Sequence, residues 1–75
     1  MTKEEYLSFR IQQLCKEKNM TYQTLSDNAC IPVNRVYRLY FGLTRNPNIY
    51  TMMDICEGLG VTLDEFFDTE EFRSI

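Results

Sequence analysis

Apolar residues recur at helical spacing along most of this 75-residue chain, and no stretch alternates with the period of a strand. Thr2, with Glu5 three positions on, has the form of a capping box. From there Tyr6 or Leu7, then Ile11, then Leu14 or Cys15 mark a first helix to about Lys18, with Asn19 as its stop. Thr21 is a good N-cap, and Leu25 and Ala29 at i, i+4 define a second, short helix. Pro32 suits a first helical turn, and Val36, Leu39 and Tyr40 share the inner face of a third helix that Gly42 ends. Residues 43–46 read as a polar-leaning loop closed by Pro47. Asn48 then caps a fourth helix to about Leu59, with Ile49, Met52, Ile55, Cys56 and Leu59 inward and Gly60 as its stop. Thr62 with Glu65 is a second capping box and opens a short fifth helix whose Phe66 belongs in the core. Phe67, Phe72 and Ile75 have no obvious core partners. The pattern predicts one all-α, five-helix domain over residues 1–75, with a short tail over about 68–75.

The most informative stretch is residues 21–42, TYQTLSDNACIPVNRVYRLYFG. Two short helices there are joined by a turn of only a few residues. Opposite the apolar face of the second lie Val33, Asn34, Tyr37 and Arg38. This is the layout of a helix-turn-helix, whose second helix enters the major groove of DNA.

Composition narrows the alternatives. An apolar content of 44% supports a folded domain, although a chain of this length buries a modest core. No run of 18 apolar residues is present, so no membrane span is expected, and no charged-then-apolar leader opens the chain. Cys15, Cys30 and Cys56 form no C-x-x-C and cannot all pair with one another. The chain has no His. These residues therefore predict no metal site and no cofactor, and they fit a reducing, cytoplasmic setting. Each cysteine reads most simply as a small hydrophobe. Asp64, Glu65 and Asp68 lie on a solvated acidic helix with no nucleophile–base pairing nearby, so no enzymatic activity is expected.

The net charge of −3 weighs against a nucleic-acid partner until its distribution is considered. Residues 1–49 carry a net +3 and residues 50–75 a net −6. The local face, rather than the sum, is what a phosphate backbone meets.

With these motifs in place, the chain resembles the lambda-repressor and Cro-like (XRE-type) helix-turn-helix family of transcriptional regulators. The segments that carry the resemblance are RIQQLCKEKNMTYQTLSDNA, then IPVNRVYRLYFG, then TRNPNIYTMMDICEGLGVTLDEFF. It covers roughly residues 7–68. The last block is the most specific: a polar loop into Asn-Pro, a helix ending Leu-Gly, then Val-Thr-Leu-Asp-Glu-Phe-Phe.

The resemblance implies a map of contacts. Thr21 would touch a phosphate as the N-cap of the second helix. Tyr22 stands where a polar side chain, commonly Gln, reaches DNA. Val33, Asn34 and Arg38 fall on base-reading positions, with Tyr37 on the same face. Asn suits adenine, Arg suits guanine, and Val packs on a thymine methyl. Thr44, Arg45 and Asn46, in the loop after the third helix, would hold phosphates and so position the domain. The expected function is a sequence-specific double-stranded DNA-binding regulator of bacterial or phage type, a repressor reading a palindromic operator through the third helix as a homodimer. Phe67, Phe72 and Ile75 are its candidate dimer contacts.

Three departures from the family pattern stand out. Cys15 and Tyr40 replace an Arg and a Glu that many members pair. Cys30 stands where the turn usually has Gly, and the turn predicts positive φ and an exposed thiol there. Pro32 replaces a Ser or Thr and cannot donate a hydrogen bond. The acidic total charge, Tyr22 at the second-helix contact and Pro32 at the third-helix start keep a rival reading open: a protein-interaction module that retains the fold without operator binding. Tyr37 and Phe41, at i, i+4, are the candidate partner patch of that reading.

Overall fold

The computed structural model describes residues 2–74. Among these it contains six helices and no strand: α1 (Lys3–Glu17), α2 (Tyr22–Ala29), α3 (Val33–Tyr40), α4 (Ile49–Leu59), α5 (Leu63–Phe67) and α6 (Glu70–Arg73). The five expected helices are present, close to their expected bounds. The sixth is a single turn inside the segment read as a tail, capped by Thr69, whose hydroxyl accepts from the Phe72 N–H.

The starts are set by side chains. Thr2 and Thr62 form the two complete capping boxes, with Glu5 and Glu65. Thr21 accepts from the Thr24 N–H at 3.2 Å, and Asn48 from the Thr51 N–H at 2.8 Å. Pro32 is the N-cap of α3 rather than its first helical residue, and makes no side-chain cap.

The ends of α1 to α4 share one device. Asn19, Cys30, Gly42 and Gly60 each take a left-handed conformation, with φ of 52°, 57°, 72° and 74°. The next N–H, from Met20, Ile31, Leu43 or Val61, then bonds back to Cys15, Ser26, Arg38 or Cys56 O. Each closure satisfies a carbonyl at the helix end and turns the chain sharply. Cys30 alone among the four is neither Gly nor Asn, as the short turn predicts.

The core collects Ile11, Leu14 and Cys15 from α1, Leu25 and Ala29 from α2, Ile31 from the turn, Val36 and Leu39 from α3, Met52, Ile55, Cys56 and Leu59 from α4, and Phe66 from α5. α2 lies between α3 and α4, and α1 packs on α3. Cys15 is buried, and Tyr40, the other altered position of the lost ion pair, is half-buried among aromatic rings.

Two expectations are corrected. Ile49 does not point inward: it is 55% exposed, at the rim of an open surface cavity that it shares with Leu7, Met52, Phe67 and Phe72. Phe67 and Phe72 do have core partners. Their rings lie 4.9 Å apart, Phe66 is 4.9 Å from Phe67, and Tyr6 of α1 meets Phe72 at 6.2 Å. The turn of α6 folds Phe72 back onto α1 and α5, a contact that helical spacing alone does not reveal. Ile75 lies outside the described residues.

Polar contacts pin the helices that carry the outer face. Ser8 donates to Tyr40 O at 2.5 Å and Gln12 to the same oxygen at 2.7 Å, so α1 holds the end of α3. Ser26 donates to Ile31 O at 2.5 Å across the turn. Arg10 donates to Phe66 O at 2.7 Å and Glu65 O at 2.6 Å, which ties α5 to α1 through the carbonyls of its last turn.

Candidate nucleic-acid interface

The capping, the closure at Cys30 and the bonds to Tyr40 O set α3 with Val36 and Leu39 inward and its other side in solvent. Val33, Asn34, Arg35, Tyr37 and Arg38 are all exposed. Val33, Tyr37 and Phe41 follow one another at steps of four, so they form one stripe; Asn34 and Arg38 form a second.

The second stripe borders an open polar cleft of about 630 Å³ between α3 and the start of α4. Asn34, Arg35, Arg38, Thr44, Asn46 and Asn48 line it. Arg35, Arg38 and Arg45 make no ion pair among the described residues; the pair present is Arg73 with Asp68, at the far, acidic end. Thr44 is half-buried, while Arg45 and Asn46 are exposed on the loop, where Asn46 takes φ of 49°. Thr21 is exposed at the start of α2, its hydroxyl shared between the Thr24 N–H and the Thr24 hydroxyl.

Tyr22 is placed differently from a polar residue reaching outward. It is half-buried, with its ring 5.5 Å from Tyr37, 5.6 Å from Tyr40 and 6.2 Å from Phe41. The structure thus places Asn34 and Arg38 on one cleft with the loop residues Thr44 and Asn46, leaves Val33 and Tyr37 on the neighbouring stripe of α3 and Arg45 exposed on the loop, and turns the Tyr22 ring into an aromatic cluster with Tyr37.

Arg35 is the residue the sequence reading missed. Its spacing of three from Arg38 was visible in the chain, but only the position of the loop beside α3 puts both guanidinium groups on one cleft. Its charge and five donors suit phosphate as well as a base edge.

Other chemistry has little to build on. Among the described residues no group of three or more His, Cys, Asp or Glu is placed to hold a metal ion. No described helix is long and apolar enough to cross a membrane. Burial pushes the Cys15 and Cys56 thiols above their ordinary range, which disfavours the reactive thiolate.

Against this geometry the family assignment is direct. The family model of the Cro/C1-type helix-turn-helix DNA-binding domain matches residues 10–71, and the chain belongs to that family. Its members bind DNA, and the outer face of α3 is where a helix-turn-helix meets the major groove. The crystal structure of the prophage Lp1 protein 11 is similar in fold, with a TM-score of 0.84 at 24% sequence identity, over 99% of this chain and 97% of that one. No curated protein sequence matches the chain significantly.

Proposed function

We propose that this DNA-binding protein is a cytoplasmic transcriptional repressor of bacterial or phage type, and that it reads a palindromic operator as a homodimer. The observation that carries this reading is the outer side of α3, where Asn34, Arg35 and Arg38 stand exposed with neither arginine paired to a carboxylate among the described residues. Thr21 on one side and Thr44, Arg45 and Asn46 on the other flank it, as phosphate contacts that fix the register of a reading helix would. Asn34 and Arg38 are the base-reading residues, suited to adenine and guanine. One short helix contacts few bases, so paired half-sites are needed for useful specificity. Phe67 and Phe72, half-buried beside exposed Ile49, are the apolar groups for pairing, with Ile75 at the same end of the chain.

Selection from random duplexes tests the proposal. A recovered palindrome, with protein binding at two chains per site, is the expected result. Recovery of no preferred sequence would overturn operator reading. A specific observation favours a second reading, an interaction module: Phe41 is 48% exposed with its ring 4.7 Å from that of Tyr37, itself 43% exposed. That reading predicts no duplex preference at any salt concentration.

A further inference from the structure

Two open cavities, of about 370 Å³ and about 610 Å³, adjoin at Ile49 and Phe67, which line both. Together they form one groove bordered by α1, α4, α5 and α6. Its floor is apolar: Leu7, Met52 and Phe72 line the first cavity, and Leu63 lines the second. Its charged residues are unbalanced. Glu4, Asp64, Glu65 and Asp68 stand against Lys3 and Arg73, and Arg73 is already paired with Asp68. Asp64, Glu65 and Asp68 are exposed, as are Glu70 and Glu71 on the adjoining turn of α6. An apolar floor is thus joined to an acidic rim.

We propose that this groove takes a basic amphipathic helix of a partner protein, and that the helix competes with the second copy of the chain for Phe67 and Phe72. The competition rests on the homodimer reading above; the docking itself does not. The occupant is a helix because the described elements are all helices, with no strand edge to pair an extended chain. A segment that enters an apolar groove must then satisfy its own backbone hydrogen bonds, as a helix does. A helix of about 14 residues is roughly 21 Å long, against domain extents of 32, 22 and 21 Å, so four turns are enough to cross the narrower side. The basic charge follows from the rim. In a two-fold pairing the same patch meets itself, so Asp64, Glu65 and Asp68 of the two copies are drawn towards one another. Like charges there weaken self-association, whereas Lys or Arg flanking the apolar face of an incoming helix are attracted. The groove is better matched in charge to a basic helix than to itself.

The test uses the full chain and two synthetic peptides of about 14 residues, each with Leu at i, i+3, i+4 and i+7 on one helical face. One peptide carries Lys at its other positions and the second carries Glu. The Lys peptide is expected to bind at one per chain, about tenfold more tightly than the Glu peptide, and to shift the NMR amide signals of Leu63, Phe67 and Phe72 rather than those of α3. Asp64→Lys and Ile49→Ser, both at exposed positions, should each lower its affinity about fivefold, the first through charge and the second through apolar contact. In sedimentation the Lys peptide should convert dimers into complexes of one chain with one peptide. Equal binding of the two peptides, or shifts confined to α3, overturns the docking site. Dimers that stay intact with the Lys peptide bound overturn the competition. A chain that is monomeric without peptide overturns the homodimer reading, while the peptide affinities and shifts still decide the groove. These measurements use the unaltered protein, so they stand even if a variant fails to fold.

Discussion

Gly58 of α4 lies against Ala29 of α2 so closely that a β-carbon at position 58 would come within 2.7 Å of Ala29 Cβ and 2.9 Å of Ala29 N. Leu25 Cδ1 would also be 2.9 Å away. Neither the backbone nitrogen nor the methyl of Ala29 can swing aside, so the two helices would have to part. Gly58→Ala is therefore expected to destabilise the domain by about 1–3 kcal/mol from overpacking, partly offset by the better helix propensity of Ala, worth up to about 1 kcal/mol. Urea unfolding checks this; a higher midpoint than wild type would show that α2 and α4 can separate at no cost.

Cys30→Gly should act in the opposite direction. Cys30 has φ of 57° and ψ of 40°, and its side chain is exposed. Holding a non-Gly residue in this region costs on the order of 1 kcal/mol or more. Glycine relieves that strain and adds under about 1 kcal/mol of unfolded-chain entropy. With little thiol burial to lose, the net is a small gain. A clear fall in Tm for the variant would refute the energetic argument.

Arg38→Ala and Arg45→Ala should separate reading from holding. The first is expected to cost about 1–3 kcal/mol per half-site and to relax preference at one base position. The second should weaken binding to all sequences alike. If each protomer neutralises about three phosphates, the log–log salt dependence of a dimer has a slope of roughly −5. Arg45→Ala should make it shallower by about one per protomer. Equal loss of specificity from both variants would mean that the faces are assigned wrongly.

The thiols should divide by place. Cys30 is exposed while Cys15 and Cys56 are buried, so an alkylating reagent should modify Cys30 in the native protein and the others only on unfolding. Burial raises the folded-state values of Cys15 and Cys56 above their ordinary 9.0, so the unfolded chain loses these protons first as pH climbs. Their contribution to stability is complete below about pH 9 and is lost as pH rises from there through the folded values. Urea midpoints between pH 8 and pH 10.5 should fall, and should fall less steeply when both residues are replaced by Ala. Parallel slopes would show that other groups govern the alkaline limit.

The helices were legible in the chain because each is specified locally. Thr2, Thr21, Asn48 and Thr62 cap starts by bonding within three residues, and apolar spacing names the buried face at Ile11, Leu25, Val36 and Phe66. The positive φ at Cys30 was legible for the same reason: so short a turn between helices needs a left-handed residue wherever the chain supplies one. The exposure of Val33, Asn34, Tyr37 and Arg38 followed from the faces of a single helix.

What tertiary structure decided lies between elements distant in sequence. Arg35 joins Arg38 on one cleft because the loop from Thr44 to Asn48 packs beside α3. Tyr22 turns into a cluster with Tyr37, Tyr40 and Phe41, because the angle between α2 and α3 brings the start of one beside the other. Ile49 stays in solvent although its spacing points inward, and Phe72 finds Tyr6, 66 residues earlier, because α6 folds back on α1. Periodicity states which side of a helix is apolar. Whether another element covers that side depends on the crossing and length of its neighbours, and those are set by the packing of the whole core.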